Sequence, residues 1–471
     1  MSTALLKIAA KAEQDPHTRF TSLAHVLTPE FLRETWGQLN RKGASGIDGE
    51  TIGQFATNLD ERIQALWQRL KAGQYQAPPV RRVEIPKGNG TMRPLGIPTV
   101  EDRRLQRAVA RILSAIYEPE FLECSFGYRP GRSPHLALKA LRDHLVTGKV
   151  RHVYEADIQG YFTNLNHEWL RRMINLRIAD PVIIGLLGKW LKAGVMEHGV
   201  VARPDAGTPQ GGPISPCLAN TYLHYALDLW FEKRAKKDMQ GEAYLTRFVD
   251  DFVVAFQYKR AAERFDCTLK SRMQKFGLQL APDKTRLILF GRFARERAAS
   301  YGGKPGTFEF LGFKHVCGVD AKGKFAVIRI PAEKSCQKFL KSTADWLKRH
   351  RHWRRRDQQQ HLAMPLKGFY QYFALNRCVP KLERVKYHVE KQWRHAIKRQ
   401  SQRHHVFWSY LRSRSWFGLP RPKVLHPRCG YRRATSVSWE ARCGKSARRV
   451  LPGGRGTRAT KASPYRPPGL P

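Results

Sequence analysis

The sequence has few acidic residues for its number of basic ones. Its 471 residues include 39 Asp and Glu against 84 Lys and Arg, which gives a formal net charge of +45. A chain with this surplus repels itself unless an anionic partner neutralises it. The shortage of acid therefore predicts a polyanionic partner, either nucleic acid or a phospholipid surface.

Long apolar runs are also missing. No stretch approaches the roughly 18 consecutive apolar residues that a membrane-spanning helix needs. The N-terminal segment contains only a short apolar patch, interrupted by Lys7, without the core and cleavage pattern of a secretory signal. The sequence therefore predicts a cytoplasmic protein with no membrane partner.

Closely paired cysteines are the third absence. The eight cysteines are scattered, and no two of them form a CxxC pair. Structural zinc sites usually draw on closely spaced ligands, and disulfide frameworks belong mainly to short secreted chains. The pattern therefore predicts reduced thiols, with neither a zinc site nor a disulfide framework.

Apolar periodicity organises the N-terminal part of the chain. Thr28 followed by Pro29 predicts the start of a helix. Apolar residues spaced by threes and fours predict one helix over 52–70 and another over 101–117. Between them, two β-rich segments that flank residues 88–90 predict a hairpin.

Two adjacent carboxylates, Asp250 and Asp251, join two apolar β-rich segments. Two aspartates in one turn repel each other unless a cation lies beside them. Asp157 lies in another apolar strand, and only tertiary folding could bring it to the same place. Three such carboxylates could hold two Mg²⁺ ions, because Mg²⁺ prefers oxygen ligands and keeps substrate phosphates in its shell. A solvated turn is the alternative.

A glycine-rich segment, 207–212, precedes a predicted helix. Ser215 is the predicted N-cap, and Pro216 is the predicted first helical residue. Glycine lets a flat base or sugar approach the backbone closely. An ordinary turn is the alternative for such a segment taken alone.

In order, these segments resemble the reverse transcriptases encoded by group II introns, also called intron maturases. The resemblance extends from about Thr28 to His426. The motifs that carry it are Gly46-Ile47-Asp48-Gly49, Ile85-Pro86-Lys87 with Arg93-Pro94-Leu95-Gly96-Ile97-Pro98, Ser125-Phe126-Gly127-Tyr128-Arg129-Pro130-Gly131-Arg132-Ser133, Asp157 with Phe162, Thr208-Pro209-Gln210-Gly211-Gly212 through Ser215-Pro216, Phe248-Val249-Asp250-Asp251, Lys284, and Phe310-Leu311-Gly312-Phe313.

The resemblance implies an α+β right-hand polymerase with fingers, a palm built on an antiparallel sheet, and a helical thumb, also called domain X. It implies an N-terminal extension and the start of the fingers over 1–80, fingers and palm over 81–320, and the thumb over 321–428. Composition predicts a basic, disordered tail over 429–471.

The implied reaction is RNA-directed DNA synthesis. The expected partners are an RNA template with a DNA primer, dNTPs, and structured intron RNA, whose splicing and mobility the protein would assist. The expected cofactor is Mg²⁺, two ions per site, with Mn²⁺ as the alternative. The sequence indicates no oligomeric state.

Site residues follow from the same resemblance. Asp157, Asp250 and Asp251 match the metal-binding triad of the palm. Lys284 matches the lysine thought to protonate the departing pyrophosphate.

Four further residues are expected to bind the incoming dNTP. Phe162 matches a steric gate, whose ring would clash with a 2′-hydroxyl. Lys87 and Arg93 match the triphosphate clamp, and both side chains are suited to phosphate. Gln210 matches the residue that faces the incoming nucleotide.

In the thumb, basic residues alternate with aromatics, a pattern typical of RNA-binding segments. The predicted RNA contacts are Arg354, Arg355 and Arg356. For the aromatics, a place in the core is the alternative reading: Trp346, Trp353, Tyr370 and Tyr372.

The sequence departs from the family pattern without losing a metal ligand, so activity is still expected. Phe248 and Val249 replace a usual Tyr and Ala, and Thr163 and Asn166 replace frequent acids.

Many relatives carry a C-terminal endonuclease domain with paired cysteines. Cys429 and Cys443 stand alone, so that domain is predicted to be absent. Two alternative functions stay open: a domesticated reverse transcriptase in a defence system, and a splicing cofactor with an idle palm.

Overall fold

The computed structural model describes residues 3–86, 92–197, 200–202, 207, 211–300, 302–400 and 406–426. The tail predicted over 429–471 lies outside these residues. Where the chain is described, it combines helices with largely antiparallel sheets, as expected for the α+β class.

The elements are numbered in chain order. The α-helices of the described residues are α1 (Thr3–Gln14), α2 (Pro29–Trp36), α3 (Ile52–Ala56), α4 (Leu59–Lys71), α5 (Val100–Tyr117), α6 (Pro134–Thr147), α7 (His167–Asn175), α8 (Pro181–Lys192), α9 (Ser215–Leu223), α10 (Lys259–Lys275), α11 (Ala294–Ser300), α12 (Glu333–Arg349), α13 (Arg355–Phe373), α14 (Val379–Lys398) and α15 (Trp408–Arg412). The strands are β1 (Val80–Pro86), β2 (Met92–Ile97), β3 (His152–Asp157), β4 (Val195–Glu197), β5 (Val200–Ala202), β6 (Ala243–Phe248), β7 (Asp251–Phe256), β8 (Arg286–Leu289), β9 (Phe308–Phe310), β10 (Phe313–Val319) and β11 (Phe325–Pro331).

Local sequence explains most of the N-terminal elements. The Thr28 side chain accepts a hydrogen bond from the Phe31 backbone N–H, so α2 begins as predicted. The single helix predicted over 52–70 is wrong in one respect, because the chain forms α3 and then α4. A capping box of Thr51 and Gln54 starts α3, which ends after five residues.

The predicted finger hairpin is confirmed. Strands β1 and β2 pair antiparallel from Arg81↔Ile97 to Pro86↔Met92. Strand β4 adds to β1 in parallel, and β5 completes a sheet of order β2-β1-β4-β5. Helix α5 follows within one residue of its predicted start, capped by the Thr99 side chain.

The central sheet has the order β6-β7-β3-β8 and is buried on both faces. Because side chains alternate along a strand, successive residues of β7 enter different cores. Phe252, Val254 and Phe256 join a core formed with α1, α2, α5 and α7–α10. Val253 and Ala255 join a second core formed with α6, β9–β11 and α12–α14.

The third sheet links the central sheet to the C-terminal helices. Its order is β11-β10-β9, and β10 pairs with β11 along all seven residues of each strand. The boundary expected between 320 and 321 therefore falls in the turn of a hairpin, where Asp320 accepts backbone hydrogen bonds from Lys322 and Lys324.

Helix α9 begins differently from the prediction. Its N-cap is Ile214, whose backbone is already helical and whose side chain cannot cap, so Ser215 is the first helical residue rather than the N-cap. The helix continues into π-helical segments at 224–228 and 231–235. Such π-helical turns are frequent at functional sites.

Throughout the described residues, every helix falls short of the combined length and apolar character that crossing a membrane requires.

Candidate active site

The three predicted carboxylates come together at one end of the central sheet. Asp157 is the last residue of β3 and Asp251 is the first of β7, and the two are paired across the strands. Directly paired residues project from the same face of a sheet. Asp251 also pairs with Phe248, so the turn between β6 and β7 contains only Val249 and Asp250. The expectation that both Asp250 and Asp251 lie in that turn is therefore wrong for Asp251.

The carboxylates repel one another, as their proximity requires. The pKa of Asp251 is raised to about 8, mainly because burial disfavours its charge, and then because Asp157 and Asp250 are near. The ammonium of Lys284 donates a hydrogen bond to Asp157 Oδ2. That bond raises the pKa of Lys284. Lys284 therefore holds a proton beside the carboxylates.

The donor set suits Mg²⁺, although the described residues contain no group of three or more His, Cys, Asp or Glu already arranged around a metal position. Mg²⁺ is usually held by one or two carboxylates, with water and substrate phosphates completing its shell. The pKa of Asp251 is raised first by burial and then by the neighbouring carboxylates Asp157 and Asp250, whose negative charge repels its own. A divalent cation would compensate that charge, so the residues fit the ion.

Two residues with strained backbone adjoin the carboxylates. Four non-glycine residues of the described chain have a positive φ: Tyr128, Val249, Leu311 and Arg377. Val249 precedes Asp250, and the Leu311 backbone hydrogen-bonds the Asp251 carboxyl. A β-branched residue such as Val249, at φ 62°, is a conformational outlier. Strained backbone clusters at active sites because surrounding contacts must impose it.

Arg247 supplies much of the constraint on this turn. It is fully buried and forms a two-pronged ion pair with Asp228, with Nε–Oδ1 and Nη2–Oδ2 distances of 2.7 and 2.5 Å. Its Nη1 donates to the backbone oxygen of Val249 at 2.9 Å and to Asn220 Oδ1 at 3.2 Å. Nη2 also donates to Ser125 Oγ at 2.8 Å. One guanidinium therefore joins β6, α9, the π-helical segment and the aspartate turn.

Sequence reasoning missed Arg247 and Asp228. The available signal was a charged residue inside an apolar strand, directly before the Asp-Asp pair. A buried guanidinium needs a carboxylate partner, but nothing in the sequence indicates that Asp228 provides it.

Phe162 follows Asp157 by five residues and lies in a short 3₁₀ turn over 161–163, after β3. Its ring is partly buried and contacts Tyr161 edge-on, with 5.4 Å between centroids. Gly207, the first residue of the glycine-rich segment, lies against the same turn, since a Cβ there would be 2.7 Å from the Thr163 backbone oxygen. Farther along, a Cβ on Gly211 would lie 2.6 Å from the Gly96 oxygen, so β2 requires glycine there.

Three of the predicted dNTP-binding residues lie wholly or partly outside the described residues. Lys87 and Gln210 lie outside the described residues. Arg93 lies in β2, opposite Ile85, but its side chain lies outside the description.

The departures from the family pattern have local structural roles. Asn166 caps α7 by accepting a hydrogen bond from the Trp169 backbone N–H at 2.9 Å. Thr163 Oγ1 donates to the Gly160 oxygen at 2.7 Å within the turn that carries Phe162.

A second candidate site is a cavity of about 480 Å³ between α12 and α14. Ala344, Leu347 and Ala396 supply apolar lining. No ion pair joins its cations to a described acidic side chain. These cations are Lys348, Arg351, Lys391, Arg394, Lys398 and Arg399.

The predicted RNA contacts lie in the same region, at the start of α13. Arg354 and Arg356 are exposed, whereas Arg355 is partly buried, with its guanidinium 5.2 Å from the Trp416 ring centroid. Among the aromatics, Tyr370 is in the core, but Trp353 keeps 47% of its surface exposed.

Comparison with known proteins agrees with this geometry. Residues 85–315 match the family described as "Reverse transcriptase (RNA-dependent DNA polymerase)". Together with the sheet orders above, this match confirms the predicted right-hand polymerase fold.

Individual relatives match about half of the chain. "Group II intron-encoded protein LtrA" of Lactococcus lactis subsp. cremoris is 40% identical over 247 residues, which are 51% of this chain and 40% of that protein. "Protein YkfC" of Escherichia coli (strain K12) is 37% identical over 243 residues, 49% of this chain and 64% of that protein. An "Uncharacterized 91 kDa protein in cob intron" of Schizosaccharomyces pombe is 37% identical over 197 residues, 42% and 24% of the two chains. The chain spans less than two thirds of each relative.

Proposed function

Because the chain carries a reverse transcriptase domain of the group II intron-encoded type, we propose that it is an RNA-directed DNA polymerase that also binds intron RNA. The observation that carries the polymerase proposal is the pairing of Asp157 with Asp251 beside Asp250, in strained and buried surroundings. A domesticated defence enzyme is not favoured, since matched relatives include proteins named for introns.

Each predicted site residue of the palm has a role in the proposed reaction. Asp157, Asp250 and Asp251 would hold two Mg²⁺ ions, which when bound would activate the primer 3′-hydroxyl and stabilise the leaving pyrophosphate. Lys284 keeps a proton beside Asp157, where a departing pyrophosphate needs one. Phe162 would exclude ribonucleotides by contact with the sugar.

The remaining dNTP residues belong to the proposal through their motif positions alone. Lys87, which follows β1 in the sequence, and Arg93, which lies in β2, would bind the triphosphate, and Gln210 would face the incoming nucleotide. Arg and Lys suit phosphate as a planar fork and a point charge.

The decisive experiment removes one carboxylate charge at constant shape. Asp157→Asn and Asp250→Asn should each abolish primer extension on an RNA template, while RNA affinity and the melting temperature stay near those of the wild type. Asp238→Asn, at an exposed residue in the turn before β6, is the matched control and should extend primers normally. Extension within a few-fold of wild type by either site variant would contradict the palm assignment, and an inactive wild type would favour the idle-palm alternative.

The RNA-binding part of the proposal draws on the cavity between α12 and α14. Six cations without a described acidic partner repel one another unless an anion binds, and RNA phosphates supply such anions. Apolar lining and the exposed Trp353 ring nearby in sequence suit unpaired bases, which stack on aromatic side chains.

A charge-matched comparison tests this second function. Lys348, Lys391 and Lys398 are exposed in the cavity, whereas Lys233, Lys237 and Lys275 are exposed in the palm. Replacing the first three with Ala should reduce the slope of log affinity against log salt by roughly 0.7 for each lost phosphate contact with single-stranded RNA. Equal effects of the two triple variants would mean that net charge alone, and not the cavity, binds RNA.

A further inference from the structure

Tyr128 has an unusual backbone and an unusual exposure. Its φ is 53°, a left-handed conformation that bulky residues rarely adopt, and 67% of its surface is exposed. Neither its hydroxyl nor its ring makes a hydrogen bond or an aromatic contact with the described residues. The side chain therefore makes no described contact of these kinds that would explain either the strain or the exposure of the ring.

The backbone on both sides of Tyr128 is held firmly. A Cβ on Gly127 would lie 2.7 Å from the Val249 backbone nitrogen, so Gly127 packs directly on the aspartate turn. Asn220 Nδ2 donates to the Gly127 oxygen at 2.6 Å. On the other side, buried Arg129 donates from Nε to Glu118 Oε1 at 2.9 Å. The strain at Tyr128 is therefore imposed by its neighbours.

The placement of this ring indicates a ligand. Tyr128 is one residue from a backbone contact with the turn that carries Asp250, yet its side chain projects away from the protein interior. Strained residues cluster where a site presents a group to its substrate. The substrate near this turn is a nucleic acid, and bases stack on aromatic rings whatever their sequence.

We propose that Tyr128 is a binding residue for the primer–template, whose ring stacks on a nucleotide next to the aspartate turn. The proposal rests on the proposed polymerase function, because the nucleotide is the one that function brings to Asp250. Stacking uses the face of the ring, so the hydroxyl is dispensable and sequence preference is weak.

Three substitutions of Tyr128 separate the effect of its ring from the effect of its strained backbone. Tyr128→Phe keeps the ring, Tyr128→Ala removes the ring and keeps the strained φ, and Tyr128→Gly removes both. Primer–template affinity, measured by fluorescence anisotropy without dNTP, should stay within twofold for Phe and fall roughly five- to hundredfold for Ala and Gly. The melting temperature of the Gly variant should not fall below that of the Ala variant, since glycine adopts a positive φ freely.

The control is an exposed tyrosine at the other end of β7. Tyr258 is 43% exposed and lies seven residues beyond Asp251, roughly 20 Å away along an extended chain. Tyr258→Ala should leave primer–template affinity within twofold of the wild type.

Two outcomes would overturn the proposal: unchanged affinity in both Tyr128→Ala and Tyr128→Gly, or a loss in Tyr128→Phe as large as that in Tyr128→Ala. If the wild type and Tyr128→Ala bind and extend primers equally well, the inference about Tyr128 is contradicted and the proposed polymerase function is not. A wild type without polymerase activity would contradict the proposed function.

Discussion

In the palm, Arg247 and Asp228 are completely buried and paired with each other, whereas the cavity between α12 and α14 has exposed cations without a described acidic partner. Each buried group makes several directed contacts, and each surface cation makes few. The stability of the palm therefore depends on individual side chains. In the thumb, positive charge is spread over many side chains.

This difference follows from solvation. A buried charge that loses its partner keeps the full desolvation penalty, so one substitution damages a wide region. An exposed cation stays hydrated and acts through the summed field, so neighbouring cations can replace it. A single substitution of a buried charge in the palm should therefore cause a large loss of stability. In the thumb, RNA affinity should fall gradually as more cations are replaced.

The largest expected effect is at Arg247. Arg247→Met leaves Asp228 buried without a partner and should lower the free energy of unfolding by about 3–5 kcal/mol, measured by denaturant titration. The double variant Arg247→Met/Asp228→Leu should recover most of that stability, since no buried charge remains. It should still extend primers poorly, because the hydrogen bond to the Val249 oxygen is lost. Normal extension by the stable double variant would show that the guanidinium does not position the aspartate turn.

A smaller, selective effect is expected at Phe162. Phe162→Ala should lower the preference for dNTP over rNTP by roughly 10- to 200-fold, because the clash with a 2′-hydroxyl disappears. Incorporation efficiencies for both nucleotides on one template give the ratio. If Phe162 serves only as core behind β3, both efficiencies should fall together and the ratio should stay constant.

The smallest effects should come from the thumb arginines, and they should differ in kind. Arg355 donates to Gln400 Oε1 at 3.2 Å and stacks on Trp416, so Arg355→Ala should reduce stability. Arg354→Ala and Arg356→Ala should leave stability unchanged and flatten the salt dependence of RNA binding by less than one unit each. Calorimetry and RNA titrations at several salt concentrations separate the two behaviours. Identical behaviour of the three variants would remove the distinction between a structural arginine and RNA-binding ones.

Elements whose signals are local could be predicted from the sequence. Thr28 caps α2, and the β-rich segments around 88–90 pair as a hairpin. The prediction of helix boundaries failed where a tertiary contact or a competing cap sets the end of the helix. The helix expected over 52–70 divides, and α9 starts at Ser215 because Ile214 is already helical. Hydrophobic spacing describes a buried face but does not reveal where a helix is interrupted.

The order of motifs was enough to identify Asp157, Asp250 and Asp251 as candidates, because residue type and spacing are properties of the chain itself. Folding is what pairs Asp157 with Asp251, buries Arg247 against Asp228, and holds Tyr128 at a positive φ beside the turn. These features depend on residues distant in sequence whose contacts form only in the packed core. Residue type and order therefore establish which groups are available for chemistry, and packing sets their distances, their pKa values and their strain.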